Sequence, residues 1–149
     1  MQISYRIASI DDLDAIIELS VLMCSGDNCG EHDEGFLKEG LLNPKMAMFL
    51  AFDEGKAVGF SHVYKRHEWV WTESEDGPFG YLETIYVCPD YRKQGIAKEL
   101  TIMCENWSRE MGCAEFASSC DLDNKDSFNF HLGVGFRELH RIIHFSKEL

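Results

Sequence analysis

Proline is scarce in this chain, three among 149 residues, and no Pro-rich linker, low-complexity tract or internal repeat breaks it up. A single domain over residues 1–149 is therefore expected. Long apolar runs are missing too. No window approaches the ~20 apolar residues that cross a bilayer. The opening MQISYRIASIDDLD has no basic segment followed by an apolar one, so no secretory leader is expected there. Positive charge is the next shortage: 14 Lys and Arg stand against 26 Asp and Glu, a net charge of −12. That balance argues against a nucleic-acid partner, since phosphate binding relies on a basic surface. It fits a cationic small molecule, and equally an acidity that serves only solubility. The six cysteines form no CxxC pair, and the cluster Cys24, Cys29, His32 and Asp33 matches no zinc spacing. No metal is expected, and the thiols are expected to be free, as suits a cytoplasmic protein.

What is present reads as an α/β chain. Hydrophobic residues make up 45% of the sequence, enough for a real core. Residues 3–8 suggest a short strand, and Ser9, Asp11 and Asp12 supply capping and negative charge for a helix carrying Leu13, Ile16, Ile17, Leu19 and Leu22. A second helix carries Phe36, Leu37, Leu41 and Leu42 and stops at Asn43-Pro44. MAMFLAF (46–52) and KAVGFSHVYKRH (56–67) read as strands joined by the turn Asp53-Glu54-Gly55. A third strand, FGYLETIYV (79–87), ends before Pro89. Ile96, Leu100, Met103 and Trp107 mark the best helix, from Ile96 to Met111, closed by Gly112. CAEFASS (113–119) is another strand, a helix follows from about Lys125 to Leu132, and FRELHRIIHFSKEL supplies one or two more strands. Hairpins in the first half and crossovers in the second imply a mixed sheet.

Residues 86–98, YVCPDYRKQGIAK, concentrate the chemistry. A strand ends, a proline turn follows, and Arg92-Lys93-Gln94-Gly95-Ile96-Ala97 opens the long helix. The first N–H groups of a helix lack intrahelical partners and carry partial positive charge, which draws phosphate. Gly95 has no Cβ to hold a ligand away, and Arg92 and Lys93 add charge. An ordinary strand-to-helix turn with basic residues facing water has the same sequence. It is neither a Walker loop nor GxGxxG.

RKQGIA in this position resembles the pyrophosphate-binding motif Q/R-x-x-G-x-G/A of the Gcn5-related N-acetyltransferases. The element order, with Gly135-Phe136 before the last strands and Asn124 before the closing helix, is similar to that family as well. FLAFDEGKAVGF, GYLETIYVCPDYRKQGIAKEL, GCAEFASS, LDNKDS and HLGVGF resemble, in order and spacing, its aminoglycoside 6'-N-acetyltransferases. The resemblance implies the GNAT fold, a mixed and mostly antiparallel twisted sheet of six to seven strands flanked by about four helices. It implies direct acetyl transfer from acetyl-CoA to a primary amine of a cationic small molecule, without a metal. A polyamine, a peptide amine or a module that binds without turnover are the alternatives. Homodimers are common in the group.

The resemblance also assigns roles. The strand Ile85-Tyr86-Val87 would offer backbone to the pantetheine arm and one N–H to the thioester carbonyl. Gln94, Gly95, Ile96 and Ala97 would hold the pyrophosphate, with Arg92 and Lys93 nearby, and Asn124 would touch the coenzyme arm. A protonated amine needs a proton acceptor, and Glu83 is the candidate, on the face that alternation shares with Ile85 and Val87. His131 stands where many relatives have the tyrosine that protonates the thiolate; Tyr86 and Tyr91 compete for that role. Substrate contacts fall to Glu83, Ser119 and Asp121, the last facing the same side as Ser119 if its strand continues; Trp69 and Trp71 offer an aromatic wall for the substrate, or packing in a half-exposed hairpin. Ser119 in place of an Asp, Thr84 in place of a Gly, and Met23 or Cys24 in place of a Trp depart from the aminoglycoside pattern. Asp27, Glu31, His32, Asp33 and Glu34 form an acidic patch suited to a polycation, or to water.

Overall fold

Asp12 shows how the first elements lock together. Its carboxylate accepts two hydrogen bonds from the Arg6 guanidinium, at 2.8 and 2.7 Å, and one from the Ser9 backbone N–H at 2.8 Å. The Arg6 bonds, ahead of all other influences, hold its pKa down at about 2. A strand is thereby tied to the turn (Ile10–Asp12) that starts the first helix. The computed structural model describes residues 2–24, 34–68, 72–74 and 77–149, which form two units, Met1–Ser118 and Ser119–Leu149.

The first unit runs β1 (Ile3–Ile7), α1 (Leu13–Met23), α2 (Glu34–Leu42), β2 (Met46–Asp53), β3 (Lys56–Arg66), β4 (Phe79–Val87), α3 (Ile96–Glu110) and β5 (Glu115–Ser118). Its sheet has the order β1-β2-β3-β4-β5; the first three pairings are antiparallel and β4–β5 is parallel. Glu54 and Gly55 both take positive φ, 46° and 84°, the primed-turn geometry whose twist suits the β2–β3 hairpin. Phe60, Met48, Leu50 and Tyr86 on one sheet face pack with Ile16, Leu19 and Leu37 of α1 and α2. On the opposite face α3 lies so close that a Cβ at Gly80 would meet Ser108 Oγ at 2.0 Å, while Cys104 Sγ donates to Ser61 Oγ at 3.2 Å. The sheet is thus covered on both faces.

The second unit holds α4 (Lys125–Gly133), capped by Asn124, whose side-chain oxygen accepts from the Ser127 N–H at 3.1 Å. Two expectations are corrected here. The sheet has five strands rather than six or seven, because residues 138–149 make no backbone hydrogen bond among the described residues and a strand exists only against a neighbour. Cys24 is disulfide-bonded rather than free, whereas Cys88, Cys104, Cys113 and Cys120 are free. Among the described residues no helix is long and apolar enough to cross a membrane.

Candidate active site

The turn from β4 into α3 is built to hold an anion. After the turn Pro89–Tyr91, Lys93 takes φ 59° and Gly95 φ 82°, so the chain curls twice into the left-handed region before α3 begins. Among the described residues, the backbone N–H groups of Lys93, Gln94, Gly95, Ile96, Ala97 and Lys98 have no protein acceptor; the first to find one is Glu99, bonded to the Gly95 carbonyl at 3.0 Å. No side chain caps this helix end. Six consecutive amides at the positive end of a 15-residue helix are a cradle for phosphate oxygens. Among the described residues nothing lies within 4 Å of a Cβ built on Gly95, so that position opens away from them. The turn is braced from outside: Tyr91 Oη donates to Asp53 at 2.9 Å and Gln94 Nε2 to the Asp90 carbonyl at 3.3 Å. That bond occupies the Tyr91 hydroxyl as a structural tie.

Beside the cradle, β4 has an open edge. Its parallel pairing with β5 runs only from Phe79↔Glu115 to Leu82↔Ser118, while its pairing with β3 continues to Gly59↔Val87. Glu83 to Val87 therefore have no strand on their β5 side among the described residues. The Cys88 N–H bonds back to Val58 of β3, so strand alternation turns the Ile85 and Val87 backbone groups toward the open side. Arg92 Nε donates to the Val87 carbonyl at 2.9 Å, leaving the two amides as the exposed donors. Tyr86 points the other way, buried against Phe60 with its pKa raised chiefly by burial.

Glu83 sits at an irregularity. His62 pairs with Thr84 but the next residue, Val63, pairs with Leu82, so Glu83 is the extra residue of a bulge in β4. Directly paired residues share a face, and the extra residue resets the alternation. Glu83 accordingly reaches Tyr64, whose hydroxyl donates to its Oε2 at 2.7 Å, on the α1–α2 face that also carries Thr84 and Tyr86. The face shared with Ile85 and Val87, expected from alternation, is the wrong one. Tyr64 is itself held between His62 and Tyr81, at ring-centroid distances of 5.4 and 5.7 Å. Its pKa is raised by burial first and by the Glu83 carboxylate second, which keeps it a donor.

In the second unit, His131 Nδ1 lies 2.6 Å from the Ser127 carbonyl. A carbonyl only accepts, so the proton sits on Nδ1 and Nε2 is the basic nitrogen of the neutral ring. Asn124 spends its oxygen as the α4 cap, which leaves its amide NH₂ for a ligand. Ser119 and Asp121 are exposed, and because β5 ends at Ser118 they occupy no strand, so alternation does not set the facing of Asp121. Trp69, Trp71, Cys29, Asp27, Glu31, His32 and Asp33 lie outside the described residues.

A cradle of free amides next to an interrupted strand pair is a narrow constraint on ligand shape: an anionic group at the helix, an extended arm along β4. The model of the family described as "Acetyltransferase (GNAT) family" matches residues 13–136. The chain belongs to that family. Among its relatives, an aminoglycoside N(6')-acetyltransferase type 1 from Acinetobacter genomosp. 13 is 37% identical over 123 residues, 80% of this chain and 84% of that protein. One from Serratia marcescens is 32% identical over 140 residues, 93% of this chain and 94% of that protein. The solved structure of AAC(6')-Iy in complex with the bisubstrate analog CoA-S-monomethyl-acetylneamine superposes with a TM-score of 0.87 at 28% identity, covering 100% of both chains.

Within this GNAT acetyltransferase, the sequence had pointed to the cradle and to Glu83 but not to Tyr64 or His62. His62 is 1% exposed and, among the described residues, neither ring nitrogen has a hydrogen-bond partner. Burial alone drives its pKa down to about 4, so the ring is neutral. A Cβ at Gly40 would come within 2.9 Å of its Nε2, which is why α2 carries a glycine above it. Alternation along β3 does put Phe60, His62 and Tyr64 on one face; only the cross-strand register, with its bulge, shows that Tyr64 meets Glu83.

Proposed function

We propose that this chain acetylates a primary amine of a cationic small molecule with acetyl-CoA as donor, and that the acceptor is the 6'-amine of an aminoglycoside. The six unclaimed amides at the start of α3 carry the reading, because they fit the coenzyme's diphosphate and open beside the unpaired edge of β4. The names of the relatives support the acceptor. We read residues 1–149 as a single N-acetyltransferase domain.

In this reading Gln94, Gly95, Ile96 and Ala97 hold the diphosphate through their amides, with Lys93 adding charge. Arg92 fixes the Val87 carbonyl so that the Ile85 and Val87 amides face the donor, one of them stabilising the charge that develops on the thioester oxygen. Glu83, aimed by Tyr64, binds the ammonium and takes up its proton, directly or through water. The amine then attacks the thioester carbon, and the coenzyme leaves as a thiolate. His131 supplies the proton for that thiolate only as an imidazolium, because its neutral form bears the hydrogen on the nitrogen bound to Ser127. Asn124 contacts the coenzyme arm through its NH₂ group. Ser119 and Asp121 are assigned to contact the acceptor, and the net charge of −12 favours a polycation. We place the enzyme in the cytoplasm, as a homodimer.

Thiol release measured with kanamycin, tobramycin, spermidine and a peptide amine tests the proposal. Turnover of the aminoglycosides well above the others is the expected result. Brisk spermidine turnover with none on aminoglycosides moves the acceptor to the polyamines, and no turnover on any amine removes the enzyme reading.

A further inference from the structure

The loop that carries the six unclaimed amides is held from a distance. Its own hydrogen bonds are local: the Arg92 N–H donates to the Pro89 carbonyl at 3.2 Å, Gln94 Nε2 to the Asp90 carbonyl at 3.3 Å, and Arg92 Nε to the Val87 carbonyl at 2.9 Å. These join the loop to itself or to the end of β4, and they move with it. Among the described residues one hydrogen bond leaves residues 89–98 for another part of the sheet. Tyr91 Oη donates to Asp53 Oδ2 at 2.9 Å, across 38 positions of sequence.

Asp53 is a fixed post. It is the last residue of β2, paired with Ile3 of β1 on one side and with Lys56 of β3 on the other, and the Glu54-Gly55 turn locks the chain just beyond it. The loop it holds needs holding. N–H groups aimed at one point repel each other as parallel dipoles, so an empty cradle gains by opening and turning its amides to water. A shape lost in the free protein must be restored at binding, and that cost comes out of affinity. The bond to Asp53, first among its influences, raises the Tyr91 pKa, so the phenol keeps the proton it donates. We propose that Asp53, acting through Tyr91, is a positioning residue for the coenzyme: the β2–β3 hairpin keeps the β4–α3 loop in its ligand-ready shape, and this one bond sets how tightly acetyl-CoA is held. The proposal rests on the acetyl-CoA reading above. It gives the Tyr91 hydroxyl a part in binding and none in proton transfer.

Calorimetric titration of coenzyme A and steady-state thiol release test it in the full chain. Tyr91→Phe and Asp53→Ala are each expected to weaken coenzyme binding and raise KM for acetyl-CoA roughly 10-fold, the low side for a hydrogen bond to a charged group. The loss falls on that KM rather than on kcat or on KM for the amine, because the bond acts before the chemistry. The double variant is expected to bind no more weakly than either single one, since both delete the same bond. Asp53→Asn keeps an acceptor oxygen and is expected to recover part of the affinity lost in Asp53→Ala. Wild-type affinity in both single variants overturns the proposal, as do additive losses in the double variant or an Asn variant no better than the Ala one. A Tyr91→Phe variant that loses kcat at unchanged KM also overturns it and returns the hydroxyl to the chemistry. A wild-type chain that binds no coenzyme A refutes the acetyl-CoA reading itself, whereas wild-type binding that the variants share refutes the tether alone.

Discussion

Gly95 is the residue at which the anion cradle can be tested most sharply, because two physical reasons for a glycine there make different demands. Its φ of 82° belongs to the left-handed region, where an ordinary L-residue is strained by about 1–2 kcal/mol. Its missing Cβ would point into open space, the space a diphosphate would fill. Alanine at position 95 meets both penalties. If the free loop relaxes to relieve that strain and binding must restore its shape, strain alone costs up to roughly 5- to 30-fold in coenzyme affinity, by the conversion of 1.4 kcal/mol to tenfold. Asparagine tolerates left-handed backbone but still carries a Cβ. Calorimetric titration of coenzyme A into Gly95→Ala and Gly95→Asn therefore separates the causes. If the ligand lies against the glycine, both variants bind at least ~10-fold more weakly, and the Asn variant melts near the wild-type temperature without ligand. If the glycine serves only the turn, Asn restores binding. Wild-type affinity in both variants would falsify the placement of the diphosphate on this helix end.

Three further outcomes are expected. Glu83→Gln should lower amine turnover by at least ~10-fold, the low side of acid–base effects, with coenzyme affinity unchanged in the same titration; full turnover would remove Glu83 from the chemistry. Tyr64→Phe deletes the hydroxyl that aims Glu83, a hydrogen bond to a charged group, and should raise KM for the amine roughly 10-fold with little change in KM for acetyl-CoA; equal effects on both constants would mean that Tyr64 only packs. His62 predicts an acid-sensitive fold. Its pKa is depressed from 6.5 to about 4 in the folded chain, so between those values the unfolded chain binds the extra proton. Stability is complete above about pH 6.5 and falls as pH drops toward 4, by on the order of 3 kcal/mol at full extent. Urea unfolding at pH 7 and pH 5 measures it, and His62→Leu should flatten the slope; an identical pH dependence in that variant would refute the assignment.

The parts of the fold that local chemistry dictates were readable in the sequence. Helix α3 was expected from Ile96 to Met111 and spans Ile96–Glu110, because Gly95 and Gly112 bracket its apolar period and both adopt the left-handed conformation that stops or starts a helix. The β2–β3 hairpin followed from Asp53-Glu54-Gly55 for the same reason. The bulge at Glu83 had no such mark. Nothing in Leu82-Glu83-Thr84 differs from a regular strand, since a bulge is a relation between two strands. Residues 137–149 failed as strands for a related reason: their pattern is correct, but pairing needs a neighbour that the local sequence does not name. The missed Tyr64 belongs with these, being a strand residue whose partner lies 19 positions away.

That error over Glu83 has a chemical consequence. Had β4 been regular, Glu83, Ile85 and Val87 would share the face covered by α3, where Ser61, Cys104 and Leu100 already fill the space. A carboxylate there would be buried without a cation, at a cost of several kcal/mol. The bulge turns it to the opposite face, exposed and tied to Tyr64, while Ile85 and Val87 keep their backbone amides in the plane of the sheet at its open edge. The two halves of the proposed reaction then approach from different directions. In the proposed reaction the acyl donor would lie along the edge of β4, within the sheet plane, and the amine would reach Glu83 from the side of α1 and α2. A nucleophile attacks a carbonyl carbon from above its plane, and a carbonyl whose oxygen points at an in-plane amide offers that face to a group held on one side of the sheet. One inserted residue thus puts the Glu83 side chain on a sheet face while the Ile85 and Val87 amides stay at the sheet edge, the separation of acceptor and donor groups that the proposed direct transfer uses.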